Sequence, residues 1–569
     1  MHRSRIVAVA TAIAALTAAA LVSGTIASSA DASSRTTSYV VLAQDAGSAQ
    51  SLAARLKGLG AHVTGVNTDI GLVSVTSTDA AFRTSATRLS GVYGVARDKS
   101  IGQAPKQKPH ALPTEYAKSL QKPAKTPHPT PGAGPSDPLD TQLWGMRMIN
   151  ADKAHAITLG SKKVRVGIMD TGVDGTHPDL RANFDYALSR NFVTDMPDID
   201  GACEHPSCKD PVGEDDDGHG THVAGTIAAA LNGFGVSGVA PNVDIVEVRA
   251  GQDSGYFFLQ PTVDALTYSA DAGIDVVNMS FYVDPWLYNC AGGAPEDTPE
   301  QAAEQGVIIA AMNRALKYAH DRKVTLVAAS GNEHSDLANP PVDSSSPDYG
   351  AAPHDRTIDN ARCVSLPTEN PYVLGVDALG PSGKKSDFSN YTTDLSSGEV
   401  DVSAPGGWFR DGFGTSSYRT NGNLILSTYP LNVALADGNV DADGNVTPAG
   451  VALGVQKVCP ATPVPGATAC GYYQFLQGTS MASPHAAGVV ALAVSAHGKN
   501  LGRDGFGMTP GRVASLLERT ATDHACPPGG VQTYTQEGRD DSYTATCVGT
   551  PAYNGFYGAG VVNALGVVR

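Results

Sequence analysis

Ser480–Ala496 reads SMASPHAAGVVALAVSA, and this stretch decides how the rest of the chain packs. Its residues are small or aliphatic on every face, so a helix formed here would be buried all round. Near-continuous apolar runs precede it and alternate with helical stretches, a pattern typical of parallel strands covered on both faces. The sequence therefore predicts an α/β fold with a mostly parallel central sheet. The predicted strands are Val164–Met169, Val243–Val248, Val276–Met279 and Val324–Ala329, and the predicted helices include Gly220–Leu231, Pro261–Ala272 and Met312–Asp321.

The overall composition limits the class of protein. Of the 569 residues, 41% are hydrophobic and 17% are charged, which allows a large core and argues against wholesale disorder. The formal net charge is −16, and an acidic chain repels phosphate backbones, so no nucleic-acid partner is expected. Residues 1–135 carry a net charge of +8 and the rest of the chain carries −24, so the two parts are expected to attract each other.

Residues 1–30 are predicted to be a secretory signal peptide. Arg3 and Arg5 give a short basic start, Ile6–Ile26 is uncharged and Ala-rich, and a small-residue cleavage pattern ends at Ala30. The alternative is an uncleaved anchor helix, which the cleavage pattern disfavours. Because no later run of about 18 apolar residues exists, we expect no membrane span and a protein secreted to the extracellular space.

The chain contains eight cysteines, and all of them follow residue 200. An even count in an exported protein predicts disulfides. A metal site is the alternative, but the sequence has neither a CxxC pair nor matching histidines. Eight cysteines allow 105 pairings. Proximity along the chain alone suggests Cys203–Cys208, Cys290–Cys363, Cys459–Cys470 and Cys526–Cys547.

The chain divides into three segments after the predicted signal. Residues 37–101 alternate strand-like and helical patterns in the order βαββαβ, which predicts a small α+β, ferredoxin-like domain. Residues 102–138 hold nine prolines and few large apolar residues, so an extended, protease-accessible linker is expected. Residues 139–569 form the predicted globular α/β domain.

Three polar residues stand at the ends of predicted elements. Asp170 closes the strand VRVGIMD, where open α/β sheets place their sites. His219 begins a helix in DGHGTHVAG; with His222 it resembles a metal pair, but no further ligand is evident. Ser480 begins the buried helix, where backbone amides favour developing negative charge. Each residue alone also has a plainer interpretation as a turn, core or capping residue, but their order of Asp, His and Ser is that of subtilisin.

Longer motifs around these residues resemble the subtilisin-like (subtilase) serine peptidases. The resemblance covers about residues 140–569 and implies the three-layer subtilisin-like fold. It also implies a serine endopeptidase that hydrolyses protein or peptide substrates through an acyl-enzyme. By the same resemblance, residues 37–101 look like an inhibitor-I9-like propeptide that blocks the enzyme until self-processing removes it. The motifs are VGIMDTGVDGTHPDL, DGHGTHVAGTIA, VSGVAPNV, VVNMS, LVAASGNE and QGTSMASPHAAGVVAL.

The resemblance assigns a role to each candidate catalytic residue. Ser480 would be the nucleophile, and His219 the base that removes its proton and then protonates the leaving amine. Asp170 would orient and stabilise the imidazolium. Asn332, in SGNE, would donate to the oxyanion together with the Ser480 backbone N–H. This chemistry requires no cofactor.

The implied substrate contacts depart from the family pattern. The family binds peptide strands beside a Ser-Leu-Gly-Gly segment, but this chain has Ser280 and Phe281 followed by Tyr and Val. Gly331 is also an expected substrate contact. Glu333 follows the oxyanion Asn at a position near the family's S1 pocket. An acidic side chain there would favour basic or long P1 side chains of the substrate; a solvated surface position is the alternative.

Calcium is implied by resemblance alone. Asp179, in HPDL, matches a family calcium ligand, and Asn232 is the best side chain in the associated loop at 231–236. Calcium takes six to eight oxygen ligands, and only these two side chains can be named. The acidic run Glu214–Asp217 is a second candidate cation site, with a solvated loop as its alternative.

Two other functions compete with a monomeric, secreted peptidase. An inactive relative that acts as a binding protein would have lost a catalytic residue, yet Asp170, His219, Asn332 and Ser480 are all present. An esterase of the α/β-hydrolase type needs a G-x-S-x-G elbow and the order Ser, Asp, His, and this chain has neither around Ser480. Labelling of Ser480 by a serine-reactive phosphonate together with proteolysis indicates the peptidase. Labelling without proteolysis favours the esterase, and no labelling of correctly processed protein favours the inactive relative.

Overall fold

A computed structural model of the chain describes residues 36–98, 100–103, 136–281, 285–340, 342–347, 352–460, 470–502 and 505–569. The predicted signal peptide at 1–30 and most of the predicted linker at 102–138 lie outside the described residues. Within the described ranges, every helix is too short or too polar to cross a membrane.

The helices and strands are numbered here in chain order. The described helices are α1 (Ala49–Gly58), α2 (Phe82–Thr87), α3 (Trp144–Met148), α4 (Ala151–Ala154), α5 (His219–Ala228), α6 (Leu259–Asp271), α7 (Pro299–Asp321), α8 (Leu431–Ala436), α9 (Pro448–Leu453), α10 (Thr479–His497), α11 (Pro510–Thr520) and α12 (Ala564–Val567). The described strands are β1 (Thr37–Ala43), β2 (His62–Asn67), β3 (Leu72–Ser77), β4 (Val92–Arg97), β5 (Ser100–Gln103), β6 (Arg165–Met169), β7 (Arg190–Asn191), β8 (Asp244–Arg249), β9 (Tyr256–Phe258), β10 (Val276–Met279), β11 (Asn289–Cys290), β12 (Thr325–Ala329), β13 (Cys363–Val364), β14 (Val373–Leu379), β15 (Val402–Pro405), β16 (Ile425–Tyr429), β17 (Gln456–Val458), β18 (Gly471–Leu476), β19 (Lys499–Asn500), β20 (Phe506–Gly507), β21 (Val531–Gln532), β22 (Ala545–Thr546), β23 (Gly549–Thr550) and β24 (Tyr553–Asn554).

The central sheet contains seven parallel strands in the order β15-β14-β12-β10-β6-β8-β7. Helices α5 and α10 pack in the hydrophobic cluster on one face, and α6 and α7 pack in the cluster on the other. Sixteen consecutive residues of α10, Thr479–Val494, are buried, as its small-residue sequence predicts. The predicted three-layer α/β fold is confirmed.

Several predicted helix boundaries differ from the structure; Gly220–Leu231 is observed as His219–Ala228, and Pro261–Ala272 as Leu259–Asp271. The helix predicted at Met312–Asp321 begins at Pro299, because Thr298 and Gln301 form a capping box with bonds of 2.8 and 3.2 Å. The apolar repeat of its first half is weak, so periodicity detects only the second half. The buried helix predicted to begin at Ser480 begins one residue earlier, at Thr479, so Pro484 is its sixth residue.

The N-terminal part has the predicted βαββαβ order. Its antiparallel sheet, in the order β2-β3-β1-β4, packs one face on α1 and α2 around Leu56, Val73 and Phe82. The other face belongs to the same hydrophobic cluster as α6 and α7, through residues such as Val40 and Leu72. This small sheet therefore lies between its own two helices and two helices of the larger domain.

All four suggested disulfides are present. Among them, Cys290–Cys363 joins the short strands β11 and β13, which flank α7 and β12 in the sequence. The eight cysteines are all paired. The pairs are Cys203–Cys208, Cys290–Cys363, Cys459–Cys470 and Cys526–Cys547.

Close packing of α10 gives a stability prediction at Gly488. A Cβ at Gly488 would stand 2.5 Å from the Cβ of Val239, whereas a Cβ at Gly306 in α7 meets nothing within 4 Å. We expect Gly488→Ala to lower the free energy of unfolding by about 1–3 kcal/mol through overpacking. We expect the matched control Gly306→Ala to raise it by about 0.5–1 kcal/mol, because alanine is the better helix former.

Thermal unfolding of both variants in a Ser480→Ala background measures these changes without self-digestion. Equal melting temperatures for Gly488→Ala and Gly306→Ala would show that α10 has room at this contact.

Candidate active site

Three neighbouring parallel strands end at one edge of the sheet, and a polar residue follows each. Asp170 follows β6, Ser280 follows β10 and Ser330 follows β12. Paired strands lie about 4.8 Å apart, so these three residues are brought together by the sheet alone. Asp170 therefore lies at the carboxyl end of a parallel strand, as its sequence position predicts.

Asp170 and His219 form a buried pair. His219 Nδ1 lies 2.7 Å from Asp170 Oδ1, and the exposed fractions of the two residues are 2% and 0%. The first turn of α5 approaches the strand end so closely that a Cβ at Gly220 would lie 2.1 Å from the Gly172 carbonyl oxygen. Glycine at 220 is therefore required for His219 to reach Asp170.

Two further carboxylates hold the start of α5. Asp215 Oδ2 accepts hydrogen bonds from the N–H and the hydroxyl of Thr221 at 2.9 and 2.6 Å. Asp217 Oδ1 accepts from the His219 N–H at 3.1 Å. Carboxylates at a helix N-terminus satisfy its free N–H groups and complement its dipole. Asp215 and Asp217 of the acidic run therefore anchor the helix, a role that the sequence did not predict, whereas Glu214 and Asp216 belong to acidic groups that could hold a cation.

These acids also change the basicity of His219. Burial alone would lower the pKa of His219, but the charges of Asp170, Asp217 and Asp215 outweigh it and raise that pKa above its ordinary value. Burial, with a contribution from Asp215, raises the pKa of Asp217 to about 7. His219 is therefore a stronger base than a free imidazole.

Ser480 is the second residue of α10 and is almost fully buried. Its hydroxyl donates to the Ser280 carbonyl oxygen at 2.9 Å. His219 Nε2 is buried and has no hydrogen-bond partner within the described part of the chain. The Ser480 hydroxyl is thus turned to Ser280 rather than to His219, and serine–histidine bonds are commonly unformed before substrate binds.

Pro484 leaves the Ser480 carbonyl without its helical hydrogen bond, and a residue outside the helix supplies a replacement. Pro484 has no N–H, so it cannot bond the Ser480 carbonyl four residues earlier in α10. The Ser280 hydroxyl supplies the missing donor at 3.1 Å and also lies 2.8 Å from the Ser483 hydroxyl. Asn278 Nδ2 donates to the Ser280 hydroxyl at 2.6 Å. Ser280, Ser483 and Asn278 therefore fix the start of α10 against β10.

Asn332 is joined to the same helix start. Its Oδ1 accepts from the N–H and hydroxyl of Thr479 at 2.9 and 3.0 Å. With Oδ1 held in this way, the remaining polar atom of the amide is the donor Nδ2. Gly331 has a φ of 107° and donates to the Thr479 hydroxyl at 3.2 Å. The structure therefore brings Asn332, Gly331 and Ser480 together, as expected from the sequence.

The other predicted substrate contacts lie beside these residues. Glu333 Oε2 accepts from Asn390 Nδ2 at 2.9 Å, and burial raises the pKa of Glu333. Phe281 is buried and stacks on Phe257 with ring centroids 4.1 Å apart. Strand β9, which contains Phe257, pairs antiparallel with β5 of the N-terminal segment. Tyr282 and Val283 lie outside the described residues.

Comparison with known proteins identifies the family of this chain. The family model described as Subtilase family matches residues 161–560. The chain belongs to the subtilase family. Similar proteins include subtilisin DY of Bacillus licheniformis, 26% identical over 383 residues that cover 67% of this chain and 92% of that protein. Thermitase of Thermoactinomyces vulgaris is 26% identical over 413 residues, covering 72% of this chain and 98% of thermitase.

Solved structures show the same fold. The epidermin leader peptide processing serine protease of Staphylococcus aureus aligns with a TM-score of 0.59 and 19% identity, covering 94% of this chain and 98% of that one. Fervidolysin of Fervidobacterium pennivorans, described as a keratinolytic enzyme related to subtilisin, aligns with a TM-score of 0.52 and 21% identity, covering 94% and 61%. The predicted family is confirmed, and this subtilase is a serine-type endopeptidase.

The predicted calcium ligands of this subtilase are in contact, but as a hydrogen-bonded pair. Asn232 Nδ2 donates to Asp179 Oδ1 at 3.1 Å, and Tyr473 and the Val236 N–H donate to Oδ2 at 2.7 and 3.0 Å. Calcium binds oxygen acceptors, whereas the groups that face Asp179 are donors. The hydrogen-bond donors that surround Asp179 are not ligands for a calcium ion, so this position does not fit calcium.

Other carboxylates, away from Asp179, lie close enough together to hold a cation. Asp195, Glu204 and Asp253 have carboxylate oxygens within 4.8 Å of one another. Both carboxylate oxygens of Asp195 are buried and lack a hydrogen-bond partner in the described ranges. Arg249 lies nearby and pairs with Asp253, and with Asp210 at 2.7 Å. His222 is not part of any such group found among the described residues; its Nε2 bonds the Ile425 carbonyl in the core.

The raised pKa of His219 gives a pH prediction. His219 acts as a base only when neutral, so the acid limb of kcat/KM is expected above the ordinary histidine value of about 6.5. Asp217→Asn removes a negative charge that favours the imidazolium, so the acid limb should move to lower pH. The control is Asp216→Asn, because Asp216 is not among the main contributors to the raised pKa of His219, and this variant should move the limb less than Asp217→Asn does.

The measurement is kcat/KM for a peptide substrate from pH 5 to pH 10. A limb that moves upward in Asp217→Asn, or moves equally in both variants, would contradict the assigned electrostatics.

Proposed function

We propose that this subtilase is a secreted serine endopeptidase that cuts protein substrates with Ser480, His219 and Asp170 and is made as a self-processing zymogen. The observation that carries the proposal is the buried 2.7 Å bond between His219 and Asp170. Ser480 is in the first turn of α10, a helix that packs in the same hydrophobic cluster as the helix that begins with His219. A buried carboxylate that orients an imidazole next to a helix N-terminal serine is the arrangement that nucleophilic acyl transfer needs.

The proposed reaction begins with rotation of the Ser480 hydroxyl from the Ser280 carbonyl to His219. His219 Nε2 takes the proton as Ser480 Oγ attacks the substrate carbonyl. Asn332 Nδ2 and the Ser480 N–H donate to the resulting oxyanion. The imidazolium then protonates the leaving amine, and the acyl-enzyme is hydrolysed by water through the same steps in reverse. These residues carry the chemistry without a cofactor.

The N-terminal domain is proposed to be the intramolecular inhibitor. Arg83 and Arg97 pair with Glu300 of α7 at 3.0 and 3.4 Å, and Asn67 Nδ2 donates to Asp264 of α6 at 2.7 Å. The opposite charges of the two parts support this docking. Strand β5 continues from the domain and pairs with β9, where a substrate strand would lie. The first self-cleavage is therefore proposed shortly after Gln103.

Several finer features belong to the same proposal. Residues 1–30 support export, and the four disulfides suit an oxidising extracellular environment. Glu333 is proposed to favour basic or long P1 side chains from its place beside Gly331. A structural cation, with calcium as the preferred ion, is proposed at Asp195, Glu204 and Asp253. The mature enzyme is proposed to act as a monomer.

Processing of a Ser480→Ala chain tests the proposed function. We expect secreted wild type to begin between residues 100 and 140 and to digest casein, because Ser480 performs both cleavages. The variant should keep its N-terminal domain and be inert. N-terminal sequencing and casein hydrolysis are the measurements, and a phosphonate should label wild type at Ser480.

The proposal fails if both proteins are trimmed at the same residue and neither digests casein. Labelling of Ser480 without casein hydrolysis would instead favour an esterase.

Arg314 of α7 gives a prediction for the inhibitory contact. Its guanidinium donates to the carbonyl oxygens of Ala43, Ile70 and Gln44 at 2.8, 3.0 and 3.1 Å. Arg314→Ala removes all three bonds, so the lag before full activity during self-maturation should shorten at least about tenfold. Progress curves of peptide hydrolysis measure the lag.

Arg322→Ala is the matched control, because Arg322 pairs with Asp271 at 2.7 Å within the larger domain. Equal lags for Arg314→Ala and wild type would show that the bonds to the N-terminal domain do not hold the inhibitor in place.

A further inference from the structure

The loop at residues 231–237, called here the Asn232 loop, turns its N–H groups toward three carboxylates. Such a loop binds anions, because it presents hydrogen-bond donors. A calcium loop would present carbonyl oxygens instead. The bonds run from Asn232 N (3.3 Å) and Gly233 N (2.6 Å) to Asp137, from Val236 N (3.0 Å) to Asp179, and from Ser237 N (2.8 Å) to Asp140.

Two of the loop's acceptor oxygens already have donors. Asn232 Oδ1 accepts from the Phe234 N–H at 2.9 Å. The Gly235 carbonyl oxygen accepts from the Leu139 N–H at 2.9 Å. A calcium ion at Asp179 would compete with these N–H groups for the two oxygens and with the Asn232, Val236 and Tyr473 donors for the Asp179 carboxylate.

A tyrosine hydroxyl fills the centre of this loop. Tyr473, on β18, is fully buried and donates to Asp179 Oδ2 at 2.7 Å. A Cβ at Gly235 would stand 1.8 Å from the Tyr473 hydroxyl oxygen and 2.2 Å from Asp179 Oδ2. The loop backbone therefore lies directly against the hydroxyl and the carboxylate, and this space is occupied by protein atoms.

We propose that the hydroxyl of Tyr473, and not a calcium ion, fastens the Asn232 loop to Asp179. The hydroxyl supplies one hydrogen bond to the carboxylate, and the amide of Asn232 and the Val236 N–H supply the others. Asp179 thereby keeps a full set of donors without a cation.

The Asn232 loop is also connected to the C-terminal end of α5, the helix that begins with His219. The Ala230 N–H, two residues after α5, donates to the Asp179 carbonyl at 2.8 Å. Asp137 and Asp140 attach the first described residues of the larger domain to the same loop. Tyr473 is therefore a positioning residue that holds the end of the helix that carries His219.

Hydrogen exchange of the full chain, carrying Ser480→Ala to prevent self-digestion, tests this assignment. Peptides covering 231–237 are compared in calcium chloride and in EDTA. We expect equal exchange in the two conditions, because no ion holds the loop. This comparison does not depend on a folded variant, and its local readout is separate from any cation bound near Asp195.

Substitution of the hydroxyl completes the test. Tyr473→Phe removes the donor and leaves a buried carboxylate oxygen with one bond fewer, so exchange in 231–237 should rise at least about tenfold in either buffer. Tyr472→Phe is the matched control, because the neighbouring Tyr472 hydroxyl donates instead to the Gly444 carbonyl at 2.7 Å. Its loop exchange should stay at the unsubstituted level.

Two results would overturn the proposal. The first is faster exchange of 231–237 in EDTA that calcium reverses in the unsubstituted Tyr473 chain, which would place a calcium ion at the loop. The second is unchanged exchange in Tyr473→Phe, or an equal rise in Tyr472→Phe, which would show that the hydroxyl does not hold the loop.

Discussion

The buried bond between Asp170 and His219 constrains much of the structure around it. A carboxylate withdrawn from water is costly unless donors surround it. Asp170 Oδ1 accepts from His219 and from the Thr171 N–H at 2.9 Å, whereas Oδ2 is buried and has no hydrogen-bond partner among the described residues. The approach of α5 needs Gly220, where any side chain would strike the Gly172 carbonyl. Asp215 and Asp217 then hold the helix start and strengthen the base.

Helix α10 serves the core and the site with the same residues. Its small side chains let it pass through the middle of the domain, where a larger residue at Gly488 would meet Val239. Pro484 leaves the Ser480 carbonyl without a helical partner, and Ser280 supplies one. Because Ser480 is bonded in this way to the residue that follows β10, the packing of the core also determines where Ser480 lies.

Carboxylates near the site are satisfied in two ways. Asp137, Asp140 and Asp179 accept donors from the Asn232 loop, and backbone N–H groups contribute most of these bonds. Asp210 and Asp253 are paired with Arg249 instead. Both solutions keep acidic groups buried in an acidic chain, where unpaired charges would oppose folding. The net charge of the domain is thus compatible with a dense core.

The sequence by itself determined the fold class and the order of the N-terminal elements, and its motifs, by their resemblance to the subtilases, proposed roles for Asp170, His219, Asn332 and Ser480. These follow from apolar periodicity and from long local motifs, because strand and helix patterns are written in neighbouring residues. Proximity along the chain also predicted the disulfide pairs. The start of α7 at Pro299 was missed, because its first half lacks a clear apolar repeat.

Only the tertiary structure decided which distant groups satisfy one another. Tyr473 lies 294 residues from Asp179, and Ser280 lies 200 residues from Ser480. No local pattern marks such partners, since a buried polar atom takes whichever donor the fold brings within about 3 Å. The tertiary structure likewise decided that Asp215 and Asp217 hold a helix start, because burial changes what the same carboxylates do.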